Sequence, residues 1–239
     1  MDSLFYLEQT SHHPPIYNFL LIGKNYKVHG FNESFVSSGA NSIAAKYKGK
    51  YIVEFSNGIS HRVYFPEFKL SGTLFGNRSI KYYGNLIVVD EKNDLISCIS
   101  MNPDEKGFFK KIFTKKSVNY PDYFRGVITS ISKNSKYDKK EQLYSGVDFN
   151  KNVICNIEGE YSNHIRFENE LYWHIEQLEY PSFKRMSFTL PSDSTFRDDI
   201  NWLRAENDDM AQKAKIILED IQRNDKKLRE KLGKENRNK

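Results

Sequence analysis

Residues 79–101 read SIKYYGNLIVVDEKNDLISCISM. The stretch alternates apolar and polar positions, breaks at Gly84, alternates again, and breaks at the polar run Asp90–Asp94. Its reading is strand, turn, strand, polar turn, strand. The same grammar extends outward. In GKYIVEFSNG, residues 49–58, Tyr51, Val53 and Phe55 share one face and run into Asn57-Gly58, a turn signal. Ile59, His61, Val63 and Phe65 then alternate with Ser60, Arg62 and Tyr64. GVITSIS (126–132) and NVICNIEG (152–159) add two more strands. Strands about ten residues apart, joined by Gly, Asn and Asp turns from Tyr17 to about Tyr172, predict an antiparallel meander of the barrel or sandwich kind. Residues 132–142, SKNSKYDKKEQ, read as a polar loop that tolerates insertion.

The chain has 239 residues, enough for one sizeable domain or two small ones. Aromatics make up 14% of it, with 15 Tyr and 17 Phe, which suits strands and excludes a disordered chain. The formal charge of +5 permits attraction to acidic lipid or nucleic acid without demanding either. Two cysteines, Cys98 and Cys155, sit in separate apolar runs and read as free thiols in a reducing compartment. The sequence shows no signal peptide and no apolar run long enough for a membrane span. The expected location is therefore cytoplasmic, with any membrane contact peripheral.

After Pro191 the period changes. PSDSTFRDD carries the caps and acids of a helix start. From Asp209 onward Met210, Ala214, Ile217, Ile221, Leu228 and Leu232 lie near one helical face, predicting a helix over about 209–231.

Three constellations carry chemistry. Residues 8–15 read EQTSHHPP, where Pro14 biases His13 away from helix. Adjacent strand residues point to opposite faces, so the histidines act together only where the chain turns. They read either as ordinary turn residues or as donors to a phosphate. A metal site would need further ligands at suitable spacing, and none follow. A hydrolase built on Ser11 and His12 lacks the Gly-x-Ser-x-Gly elbow and an acid partner. Lys215, Glu219 and Arg223 form an i, i+4, i+8 stripe, which is either a solvated ion-pair ladder or a row of cations held by Glu219 to meet an anion. KGFFKKIFTKK, residues 106–116, interleaves Phe and Lys without an acid. Lys106, Phe108, Phe109, Lys110 and Lys111 read either as membrane-surface contacts or as a solvated strand edge.

EQTSHHPP differs by one residue, Thr10, from the EQVSHHPP signature of the oxysterol-binding protein family, which this chain resembles. LPSDSTFRDDINWLRAENDDMAQKAKIILEDIQR is similar to the family's closing segment, including its Lys-x-x-x-Glu-x-x-x-Arg helix. Thr195 stands where the family has Arg, and Asp198 where it has Pro. GEYSNHIRFENELYWHI resembles the family's Gly-x-Trp strand and its successor, with Tyr161 as the aromatic. FPEFKLSGTLFGNRSIKYYGNLIVV is similar to a strand pair with a Pro before it and a Gly between.

The resemblance implies a mainly β, antiparallel, incomplete β-barrel of the oxysterol-binding-protein type, followed by a small α+β region with a long C-terminal helix. It implies one lipid-binding domain over 1–239, with barrel strands in 1–158 and the α+β segment in 159–239. The family's lid and first strands precede the signature, so the expectation is a fragment or a reduced form whose open edges invite self-association. The implied function is a non-enzymatic lipid carrier for sterol, phosphatidylinositol 4-phosphate or both. His12, His13, Lys215, Glu219 and Arg223 would hold the phosphorylated headgroup. No cofactor, metal or nucleic acid is implied. The partners are a lipid ligand and acidic membrane surfaces. The alternative is a truncated membrane-recruitment or interaction module that carries no lipid.

Overall fold

The computed structural model describes residues 3–102, 122–131, 135–138, 143–145, 147–179 and 188–235. The chain divides into two compact units, Met1–Thr10 with Pro14–Leu178, and Ser11–His13 with Glu179–Lys239.

The first unit is built on strands β1 (Leu4–His12), β2 (Pro15–Ile22), β3 (Tyr26–Gly39), β4 (Ser42–Phe55), β5 (Ser60–Tyr64), β6 (Glu67–Ser71), β7 (Ser79–Asp90), β8 (Leu95–Met101) and β9 (Tyr123–Ser130). Then come the short β10 (Lys136–Asp138) and β11 (Leu143–Ser145), followed by β12 (Val153–Glu160), β13 (His164–Phe167) and β14 (Glu170–His174). All but β10 and β11 form one 12-stranded sheet in the order β1-β2-β3-β4-β5-β7-β8-β9-β12-β13-β14, with β6 bridging β4 and β7. The registers from β2 onward are antiparallel. The fold is thus mainly antiparallel β, an incomplete barrel-like sheet with a long C-terminal helix, as the sequence led one to expect. The sheet runs on to His174.

The turns sit where the sequence placed them. Gly58 has φ 79° after β4. Asp90 Oδ1 accepts from the backbone N–H of Lys92 and Asn93, closing the β7–β8 turn, and Asp94 has φ 53°. Gly84 differs from the expected break. It has φ 83° inside a continuous β7, where the strand exchanges β6 as neighbour for β5 and takes up β8 on its other side. Glycine supplies this kink because a side chain disfavours that φ. The polar loop 132–142 also differs in part, since Lys136–Asp138 forms a ladder with Leu143–Ser145.

The two sheet faces are packed differently. Tyr82 of β7 and Tyr161, beyond β12, lie on one face with rings 5.3 Å apart. Three strand spacings would separate them by about 14 Å on a flat sheet. The sheet therefore curls with this face inside. Met101, Phe124 and Ile157 are buried on the inner face, packed by Leu86, Ile99 and Ile165. On the outer face Ile87, Val89, Ile96, Cys98 and Val127 are buried beneath Phe149, with Tyr144 and Val147 beside it. Each such side chain contributes about 1.5–3 kcal/mol by leaving water. The Thr129 hydroxyl is shared between the carbonyls of Lys151 and Asn152, which pins the returning chain.

In the second unit, α1 (Asp198–Arg204) packs on α2 (Asp208–Glu235). Asp198 and Asp199 open α1, and the Asn207 side chain accepts from Met210 N–H at the start of α2. The helix is longer than the expected 209–231 because Gly233 does not end it. The later part of the apolar stripe that announced the helix is exposed rather than packed, with Ile217, Ile221, Leu228 and Leu232 between 52% and 62% accessible, while Met210 and Ala214 at its start are partly shielded. Ala211, Leu218, Gln222 and Lys226, about a quarter to a half turn round, are partly shielded as well.

Candidate functional site

Ser11, His12 and His13 are the part of the N-terminal signature that clusters with the helical unit. β1 ends at His12, the chain turns at His13-Pro14, and β2 opens at Pro15. Pro14 fixes its own φ and restricts His13 to extended backbone, so the turn is built by sequence. An uninterrupted strand would send the imidazoles to opposite faces. The turn instead brings their rings to 4.3 Å at an interplanar angle of 50°. Both histidines are exposed, while Ser11 is 7% accessible.

The helix meets this turn through a residue that sequence spacing did not single out. Arg229 Nη2 donates to Ser11 Oγ at 3.3 Å, across 218 positions of sequence. Arg229 stands six residues after Arg223, off the i+4 row, so the row gave no signal for it. Arg223 is held by its own helix, with Nη2 2.9 Å from Glu219 Oε2 and Nη1 2.6 Å from Asp220 Oδ1. Glu219 thus fixes Arg223. Lys215 is exposed and makes no ion pair among the described residues. Measured along the axis, Arg223 lies about 9 Å and Lys215 about 21 Å from Arg229. The helix therefore presents cations as a row rather than a point.

The inner face of the sheet is a second candidate surface, within the first unit. Phe19 and Tyr51 have ring centroids 4.9 Å apart, Tyr51 and Phe65 4.6 Å, and Tyr47 and Phe68 5.6 Å. These rings are half-buried or exposed rather than enclosed. Burial raises the Tyr47 and Tyr51 hydroxyls above the ordinary phenol range, and Tyr47 also feels Tyr82 and Tyr17. The Tyr47 and Tyr51 phenols are therefore neutral near pH 7 and act as hydrogen-bonding groups. Two buried polar atoms on this face, Asn32 Oδ1 and Ser97 Oγ, lack a hydrogen-bond partner among the described residues. Asn32 faces Tyr17 across the β2–β3 register, and Ser97 faces Val88 on β7. Asn32 escaped the sequence reading because a polar residue alternating in a strand looks like an exposed one.

Lys106, Phe108, Phe109, Lys110 and Lys111 lie outside the described residues. Among the described residues no cluster of three His, Cys, Asp or Glu is placed to hold a metal ion, and no helix is long and apolar enough to cross a membrane.

The family model described as oxysterol-binding protein matches residues 2–239. Oxysterol-binding protein 9 of Dictyostelium discoideum is 32% identical over 225 residues, covering 93% of this chain and 51% of the relative. The chain thus spans about half the length of that curated relative. The Osh1 ORD domain in complex with cholesterol superposes with a TM-score of 0.63 at 17% identity, covering 96% of this chain and 57% of that one. The Osh3 ORD of Saccharomyces cerevisiae in complex with PI(4)P gives 0.61 at 18% identity, covering 95% and 59%. The chain belongs to the oxysterol-binding protein family.

Proposed function

We propose that this chain is a non-enzymatic lipid-binding protein that carries sterol, phosphatidylinositol 4-phosphate or both between membranes. The observation that carries the reading is the association of Ser11–His13 with α2, made through the Arg229–Ser11 hydrogen bond. Two imidazoles at a turn and a cationic helix are the donors an anionic phosphate needs, because charge-assisted hydrogen bonds from separate elements converge on it. His12, His13, Arg223 and Lys215 serve the headgroup in this reading, with Glu219 orienting Arg223. Within the first unit, the inner face of the sheet offers an apolar surface of its own. Its rings bury an acyl or sterol body, and the orphaned Asn32 and Ser97 oxygens accept or share a ligand hydroxyl. Names of relatives support the choice of lipids, since a sterol and PI(4)P are what the Osh1 and Osh3 domains hold. The protein works as a single domain over 1–239, in the cytoplasm and peripherally at acidic membranes.

The test is loading. The purified chain is incubated with liposomes containing phosphatidylinositol 4-phosphate and sterol, separated from them, and its lipid content measured. Stoichiometric extraction of either lipid is expected. Failure to load with any lipid would favour the recruitment module.

A further inference from the structure

The outer face of the β3–β4 hairpin carries a feature that the lipid site leaves unused. β3 and β4 pair over 14 residues each, from Tyr26↔Phe55 to Gly39↔Ser42. Residues directly opposite in an antiparallel ladder point to the same side. On the side away from the tyrosines, Phe31 faces Lys50, Glu33 faces Lys48 and Phe35 faces Lys46. The next strands extend the pattern, since Ala44 faces Lys69 of β6, and Lys69 faces Lys81 of β7. With Lys27 opposite Glu54, six lysines thus share one outer surface with three acids, Glu33, Glu54 and Glu67. Glu67 is taken up by Lys46 at 2.5 Å. The excess of three positive charges occupies one sheet face in a chain whose total is +5.

The phenylalanines are as informative as the lysines. Phe31 and Phe35 are 41% and 38% accessible on this face. Lys48 Nζ sits 4.4 Å above the Phe35 ring, so one face of that ring is taken. A ring occupied in this way is no stacking platform for a nucleic-acid base. Exposed rings between lysines that repeat about every 7 Å along a strand match a plane of acidic headgroups.

We infer that the outer face of the β3–β4 hairpin, centred on Phe31, Phe35, Lys48 and Lys50, docks the protein on anionic membrane surfaces. Contact is electrostatic first, with the rings entering the interface. The inference rests on the reading of the chain as a lipid binder that works at membranes. It is independent of the headgroup site, because it needs negative charge on the lipid and no phosphoinositide.

The experiment is flotation of the full chain with vesicles of phosphatidylcholine alone, or with about one-fifth phosphatidylserine. Binding is expected to the phosphatidylserine vesicles only, weakening as salt rises. Lys48→Gln with Lys50→Gln is expected to weaken it about thirty-fold, from the typical contribution of each basic residue near such a surface. Phe31→Ser with Phe35→Ser is expected to weaken it at every salt concentration. Both variants should keep the thermal midpoint and take up sterol delivered from cyclodextrin as the parent does. His12→Ala with His13→Ala should float like the parent, because no phosphoinositide is present. Equal binding to neutral vesicles, unchanged flotation of the lysine variant, capture of short RNA in place of vesicles, or loss of flotation in the histidine variant would each overturn the inference.

Discussion

Arg229 of the last helix donates a hydrogen bond to Ser11 of the first strand, joining positions 218 residues apart. Ser11 is buried and immediately precedes the paired histidines, so this contact fixes where the histidine turn stands relative to the helix. Ser11→Ala removes the acceptor, and Arg229→Ala the donor. A single hydrogen bond of this kind contributes about 0.5–1.5 kcal/mol. Each variant should lower the thermal midpoint by about 2–4 °C, a shift typical of about 1 kcal/mol at this size. The double variant should cost little more than either single, because the two groups share one interaction. Additive losses would show that the residues act separately.

Lys215 is exposed and outside any ion pair among the described residues, so it has little to contribute to folding. Lys215→Ala should leave the thermal midpoint within about 1 °C, as surface substitutions do. Phosphoinositide binding, read by liposome extraction, should fall several-fold. A large stability loss with unchanged binding would return Lys215 to the role of a structural surface charge.

Gly30 tests the curl of the sheet. A Cβ there would lie 2.0 Å from the Lys50 carbonyl oxygen and 3.1 Å from the Phe19 ring. The oxygen belongs to the backbone, so relief requires the β3–β4 ladder to shift. Gly30→Ala should destabilise by about 1–3 kcal/mol, the usual cost of forcing extra volume into packed structure. Urea denaturation should show a lower midpoint, while Gly58→Ala, which meets nothing within 4 Å, should be limited to the strain of its φ of 79°.

Acid sensitivity follows from the carboxylates. Burial pulls the Asp90 carboxyl upward, but hydrogen bonds from Asn93 and the nearby His61 outweigh it and hold it below its usual range. Hydrogen bonds from Arg197 do the same for Asp199. A carboxylate depressed in the folded state contributes stability above its unfolded pKa and loses it as pH falls through the folded value. The thermal midpoint should therefore decline as pH drops from about 5 through the carboxylate range. Asp90→Asn should flatten that decline. An unchanged slope would mean that Asp90 contributes nothing to it.

The strands were readable where one face is buried and turns are marked. β4 into β5 and β7 into β8 follow from alternation ending at Asn57-Gly58 and at Asp90–Asp94. The long β3–β4 tip was less visible, because Ser34–Ser38 and its partner Ile43–Tyr47 alternate weakly. The last helix was plain in its period but not in its packing. Its aliphatic stripe is exposed from Ile217 onward, and a stripe names a face without naming what meets it. The histidines could be placed at a turn from Pro14 and Pro15, and resemblance supplied their association with the helix. Arg229 and Asn32 were invisible for one reason. Each matters through residues brought near it by the fold, and neither stands at a spacing that reports such proximity.

The central claim is that the histidine turn and the last helix recognise a phosphorylated headgroup apart from the lipid body. The measurement is extraction of phosphatidylinositol 4-phosphate and of sterol from the same liposomes by the parent and by His12→Ala with His13→Ala. Both histidines are exposed, so the variant should fold with an unchanged thermal midpoint. It should lose phosphoinositide extraction at least about tenfold, as expected when charge-assisted contacts are removed, while sterol uptake stays near the parent's level. Undiminished phosphoinositide extraction, or equal loss of both lipids by a normally folded variant, would contradict the account.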